Sequence, residues 1–253
     1  MSTDWAALDQ ELQTWVDQGL TLPLWWRDDD AIAPTAELDQ LTALSTKLGL
    51  PVHLAVIPKG ATKTLADYLT ETTQLIPVVH GWAHLSHAPK GEKKAEFGAH
   101  RPVDEIIKDA SQGLRNLQKL FGPELVPMFV PPWNRIAAEV VQELPGLGFT
   151  ALSTFTPRTA PLAAEGLAQI NTHLDPIHWK GSRSVVPPQQ LLDQATKQLN
   201  ARRLGRADNT EPYGILTHHL VHDAEIWRVT EALIARLMAG PACPWTLDTR
   251  NLI

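Results

Sequence analysis

The stretch Leu22-Pro23-Leu24-Trp25-Trp26-Arg27-Asp28-Asp29-Asp30 passes from an unbroken apolar run straight into four charges. A short apolar run with so abrupt an end reads as a buried strand that delivers polar groups at its C-terminal end, the pattern of a parallel α/β sheet. Three consecutive carboxylates repel one another, so a fold that gathers them needs a compensating charge, either Arg27 or a bound cation. Taken alone, the triplet reads equally well as an acidic helix N-terminus.

Upstream, Trp5, Leu8, Leu12 and Trp15 recur at helical spacing after the cap candidates Ser2, Thr3 and Asp4, and Gly19 marks the end of an extra N-terminal helix. Downstream, the pattern predicts a helix over Ala36–Leu48 closed by Gly49, a strand over Val52–Ile57, a helix over Thr62–Thr72 and a strand over Leu75–Val79 that ends at His80. The rhythm continues with a helix over Val103–Leu120, a strand over Leu125–Val130, the turn Pro131-Pro132-Trp133-Asn134 and a helix over Arg135–Leu144. Strands over Phe149–Ser153, Ala168–His173 and Tyr213–Thr217 and helices over Pro187–Leu204 and Asp223–Met238 complete it. Alternating strands and helices predict a parallel sheet covered by helices, and about seven strands favour a distorted, closed or nearly closed (β/α) barrel. With no sharp composition break, residues 1–253 read as a single domain.

Composition bounds the function. A chain of 253 residues with 43% hydrophobic content can bury a sizeable core. The formal charge of −6 and the scattered Lys and Arg residues leave no footprint for nucleic acid or an anionic membrane. The most basic stretch, Lys90 to Lys94, also carries Glu92, with Glu96 just beyond, and reads as a solvated loop. Cys243 is the only cysteine, so an intrachain disulfide and a Cys-based zinc cluster are excluded. Neither a basic-then-apolar leader nor a run of about eighteen apolar residues occurs, which gives the expectation of a soluble, cytoplasmic protein. The glycine-rich nucleotide fingerprints are absent as well.

Polar residues gather where the predicted strands end: Asp28 to Asp30, His80 and His84, Trp133 to Arg135, and His218-His219. In parallel barrels that rim holds the active site. His80 and His84, four apart, can reach one ion, and a carboxylate from the Asp cluster completes two His plus one Asp, the donor set of an open metal site. Five of the nine tryptophans, Trp25, Trp26, Trp82, Trp133 and Trp179, lie beside these clusters; most read as packing, and some as a platform for a sugar ring.

The pattern resembles the polysaccharide deacetylases of carbohydrate esterase family 4, the NodB-homology fold. The family's Thr-Phe-Asp-Asp, His-x-x-x-His, Arg-x-Pro-Trp/Tyr, Asp-x-x-Asp-Trp-like and Leu-x-His motifs find counterparts in order. These are Trp26-Arg27-Asp28-Asp29, His80-Gly81-Trp82-Ala83-His84, Val130-Pro131-Pro132-Trp133, Asp175-Pro176-Ile177-His178-Trp179 and Leu216-Thr217-His218. The resemblance spans roughly residues 22 to 220. It implies a distorted (β/α) barrel and a metal-dependent deacetylase acting on a C–N bond other than a peptide. A divalent ion, zinc first and Mn, Co or Ni as alternatives, would be held by Asp29, His80 and His84. Asp28 would be the catalytic base and His218 the general acid, with Trp133, Trp82, Arg135 and Trp179 touching a small saccharide or amide substrate.

Three departures from the motifs stand out, and alternatives stay open. Val130 stands where the family has the Arg that orients the base, and Arg27 or Arg135 could replace that cation. Asp30 stands where the family has Gly, so a shift of one residue would make Asp29 the base and Asp30 the ligand. His219 competes with His218 for the acid. His178 replaces an Asp, which alters the surroundings of the acid. Hydrolysis of a cyclic amide or ureide on the same fold, and sugar binding without catalysis, are the competing functions.

Overall fold

The computed structural model describes residues 3–247; Ser2 lies outside them. Helix α1 (Ala6–Asp17) buries Leu8, Leu12 and Trp15, Asp4 accepts a hydrogen bond from the Ala6 amide, and Gly19 turns the chain with φ 65°. Strand β1 (Leu22–Ala31) follows and, unlike the expected strand, continues through all four charges. Helix α2 (Ala36–Leu48) starts at Thr35, which accepts from the Leu38 amide, and ends at Gly49 in the left-handed conformation, the stop expected from the sequence.

The remaining units are β2 (Val52–Val56), α3 (Lys63–Thr70), β3 (Leu75–His80), α4 (Val103–Phe121), β4 (Met128–Val130), α5 (Ala138–Glu143) and β5 (Ala151–Leu152). Then come β6 (Leu162–Ala164), β7 (Leu167–Gln169), α6 (Pro188–Arg203), β8 (Tyr213–Thr217), α7 (Ala224–Ala239) and β9 (Ala242–Pro244). The order across the sheet is β6-β7-β5-β4-β3-β2-β1-β8. Every pairing is parallel except β6 with β7, so seven parallel strands, β1 to β5, β7 and β8, make the wall, as the alternation predicts. Residues 170–174 carry the wall on from β7 and meet β8: the His173 and Leu174 amides donate to Gly214 O, and the Leu216 amide donates to Leu174 O. That contact closes the ring. It needs glycine at 214, because a Cβ there would stand 2.7 Å from Asn171 O. Strand β7 overlaps the expected strand Ala168–His173, whereas β6, its antiparallel partner, and β9, which pairs with the start of β1, lie outside the predicted elements.

Along β1 the side chains alternate between two compartments. Leu24 and Trp26 join the large core between sheet and helices. Trp25 joins the barrel interior with Ala55, Val78, Met128, Val130, Ala151, Ile170 and Leu247. His53 and Trp245 stack at 6.1 Å beneath Trp25 and, with Leu247, plug the end of the barrel opposite the rim. Each fully buried aromatic or leucine of this kind contributes roughly 1.5–3 kcal/mol of transfer free energy. Among the described residues no helix is long and apolar enough to cross a membrane.

Candidate active site

The parity of β1 sorts its three carboxylates. Arg27 shares the inward face with Trp25 and crosses the barrel mouth to donate to Ser153 Oγ at 2.7 Å and Thr154 O at 3.3 Å. Asp29 follows on the same face and takes a two-point ion pair from Arg27, at 2.9 and 3.0 Å. Asp28 faces the other way, toward Trp26 and the helices. A break in the β1–β2 register between Asp28 and Ala31, with Asp30 at φ 82°, then turns the third carboxylate onto the rim.

There Asp30 Oδ1 lies 3.1 Å from His80 Nε2 and 3.3 Å from His84 Nε2. These three residues form the group of donor atoms close enough to share one cation among the described residues. The expectation placed Asp29 in that group and left open a shift of one to Asp30; the guanidinium of Arg27 occupies Asp29, and the bulge supplies Asp30. His80 Nδ1 sits 3.0 Å from Val130 O, which accepts its proton, so Nε2 is the ring nitrogen turned to Asp30 and the one that would ligate a cation on giving up its own proton. Burial works against charge on Asp30, but hydrogen bonding and charge from His80, with His218 and His84, hold its carboxyl well below the usual range. For His80 burial is outweighed by Asp29 and Asp30 and the pKa rises, whereas for half-buried His84 burial prevails and the pKa falls.

Asp28, expected as the base, is fully buried behind the wall. Its carboxylate accepts from Thr217 Oγ1 at 2.6 Å and from the His219 amide at 3.0 Å, and pairs with His219 Nδ1 at 2.5 Å. Burial opposes ionisation there, yet the His219 charge and hydrogen bond lower the Asp28 pKa, and Asp28 in turn raises that of His219. His219 therefore faces away from the rim. His218 faces it, with Nε2 3.9 Å from Asp29 Oδ2 and its ring edge-on to Trp179 at 4.8 Å. Trp179 donates to Asp175 at 2.7 Å, and burial raises the Asp175 pKa despite nearby His218.

The aromatic candidates separate. Trp133, at φ 56°, lies against the His84 ring at 4.3 Å, and Trp179 is exposed beside His218. Trp82 is half-buried and packs on the core. Arg135 donates to Lys94 O at 2.7 Å, away from the carboxylates. Asn134, whose Oδ1 accepts from Arg27 at 2.7 Å, and Glu96 are contributors that spacing and composition did not single out.

No protein-family model and no curated relative matches the sequence. Solved structures do match in fold. A family 4 carbohydrate esterase from Streptomyces lividans, in complex with acetate, superposes with a TM-score of 0.54 over 91% of this chain and 95% of that one, at 13% identity. A CE4 esterase from Streptococcus mutans gives 0.56 over 91% and 85%, at 10% identity. A peptidoglycan deacetylase from Bacillus subtilis gives 0.51 over 88% and 87%, at 16% identity. The chain has the family 4 carbohydrate esterase fold. On that esterase fold the departures seen in the sequence acquire places: Val130 supplies a backbone carbonyl to His80, and the guanidinium facing Asp29 comes from Arg27. His178, where the motif has an acid, is exposed on the rim.

Proposed function

We propose that this protein is a metal-dependent hydrolase that removes an acyl group, N-acetyl in the first instance, from a saccharide or related amide. The observation that carries the reading is the Asp30–His80–His84 cluster set beside Asp29 and His218 at a barrel rim. The donor chemistry, one carboxylate and two imidazoles with one tautomer fixed by Val130 O, fits a divalent cation such as zinc. A divalent ion there supplies Lewis-acid chemistry, making water acidic near neutral pH and polarising an acyl carbonyl.

The remaining work falls to side chains. Asp29 is the base: Arg27 fixes its carboxylate, and Oδ2, on the His218 side, takes the proton from attacking water. His218 Nε2 delivers a proton to the leaving amine. Trp133 and Trp179 flank these groups with apolar faces suited to a sugar ring. Asp28 and His219 serve the fold.

Protein loaded with Zn, Mn, Co or Ni should release acetate from N-acetylated oligosaccharides and leave cyclic imides intact, with Asp30→Ala losing both metal and activity. Turnover of cyclic imides alone would assign the competing chemistry on the same site. Full activity after exhaustive chelation, or in Asp30→Ala, would remove the metal from the reading.

A further inference from the structure

We infer that Glu96 is a positioning residue that sets His84 in place. The inference rests on the proposed metal reading for its consequence, but its geometry is independent of it. Glu96 belongs to the polar segment between β3 and α4, yet it is only 1% exposed. Its Oε1 accepts from the Ala83 amide at 2.8 Å and the Leu85 amide at 3.4 Å; Oε2 accepts from the Trp82 and His84 amides at 3.2 and 3.3 Å. Four successive backbone donors thus wrap one carboxylate, a concave nest of the kind that binds anions, here filled by the chain itself.

The wrap dictates the ligand's backbone. To turn four amides inward, the chain enters the left-handed region at Gly81, φ 55°, and again at His84, φ 54°. A non-glycine residue pays for that conformation, by about 1 kcal/mol or more, only where its surroundings enforce it. A Cβ at Gly81 would stand 2.5 Å from both Glu96 Oε2 and Pro132 Cδ, so the carboxylate and the loop after β4 clamp the turn from two sides. In this turn the His84 imidazole presents Nε2 to Asp30 Oδ1 at 3.3 Å. The segment bearing Glu96 is itself tied down. Arg101 donates to Glu96 O and pairs with Asp109 of α4, the His87 amide donates to Ala95 O and the Ala137 amide to Phe97 O. Remove the carboxylate and the four amides lose their shared acceptor, which frees His84 to leave its pose.

Glu96→Gln is the test, because it keeps the volume but replaces one acceptor oxygen by an NH2 group that faces the amides. Zn2+ affinity of the chelator-stripped protein should fall about 10- to 100-fold, the size usual for losing an outer partner of a metal ligand, and the Co2+ absorption spectrum should shift. In a His84→Ala background the same change should cost no further affinity, since the effect passes through His84. Amide exchange at Trp82 to Leu85 should quicken by at least about tenfold, a readout that needs no metal. Unchanged exchange and affinity in Glu96→Gln, an equal loss in the His84→Ala background, or a Glu96→Gln protein that does not fold would each overturn the assignment. Wild type without Zn2+ affinity would remove the metal reading, while the exchange experiment would still decide the role of Glu96.

Discussion

Arg27 and Asp29 stand two residues apart on the inner face of β1 and meet through two parallel hydrogen bonds, Nε to Oδ1 at 2.9 Å and a terminal nitrogen to Oδ2 at 3.0 Å. With Ser153, Thr154 O and Asn134 taking the other protons, the guanidinium's five donors are all engaged. The fork cannot turn without breaking several bonds, so it fixes the plane of the Asp29 carboxylate. Arg27→Met should leave a buried charge uncompensated and cost about 3–5 kcal/mol in urea unfolding. It should also lower kcat at least about tenfold with Zn2+ affinity nearly unchanged, as the arginine touches none of the proposed ligands. Arg27→Lys, which restores charge but not the fork, should recover stability more than kcat.

Substituting each aspartate in turn separates the three roles. Asp30→Asn should lose Zn2+ binding about 100-fold or more. Asp29→Asn should keep the ion and lose about 10²- to 10⁴-fold in turnover, the usual contribution of a general base. Asp28→Asn should keep both and instead be destabilised by about 3 kcal/mol, because it breaks the buried pair with His219. Calorimetric titration with Zn2+ together with acetate release reads all three; tight Zn2+ binding by Asp30→Asn, or full turnover by Asp29→Asn, would reverse the assignment.

His53 gives the barrel floor an acid limit. Burial pushes its pKa down from 6.5 to about 4, so between those values the unfolded chain binds the extra proton and the folded chain does not. Its contribution is intact above pH 6.5 and is lost as the pH falls toward 4, to about 3 kcal/mol over the window. Protonation would also take from Nε2 the lone pair that accepts the Leu247 amide at 3.2 Å. Denaturant unfolding at pH 7 and pH 5 should show a smaller difference in His53→Gln than in wild type.

Gly81→Ala should be far costlier than Gly91→Ala. Both glycines have positive φ, but a Cβ at Gly91 meets nothing within 4 Å, whereas at Gly81 it overlaps Glu96 and Pro132. The Gly91 change should cost about 1 kcal/mol, the conformational penalty alone. The Gly81 change should cost at least twice that and weaken Zn2+ binding as well; thermal unfolding and metal titration of the two variants check this.

Much of this was legible along the chain where one physical signal stood alone. Gly49 marks the end of α2 by capping chemistry, and β8 shows its bounds as an apolar run ending at His218. The spacing of His80 and His84, which alone suits a structural pair as well, was readable as a ligand pair because the Asp cluster offers the third donor. The assignment of the aspartates was harder for a definite reason. Three identical side chains offer no way to choose a register by residue type, and Arg27 and Asp29 look like loop residues unless their mutual neutralisation inside a barrel is known. Counting inward from Trp25 by strand parity would have put Asp29, not Asp28, in the barrel; the bulge that rescues Asp30 for the rim has no sequence signature. Strand β6 is not legible because it is only three residues long, Leu162-Ala163-Ala164, with no β-branched or aromatic side chain. Glu96 looks like a solvated loop residue in the sequence because its partners are backbone amides, which composition cannot reveal.

The aromatic plug of Trp25, His53 and Trp245 makes the barrel a cup and not a tube. Traffic therefore runs through one mouth only. On the proposed reading a polymer would lie across that mouth and not thread it, so the group presented to Asp30 would hang from the polymer's side or form its end. A fragment released by the proposed hydrolysis would also leave by the opening through which it came, in competition with the next molecule to arrive.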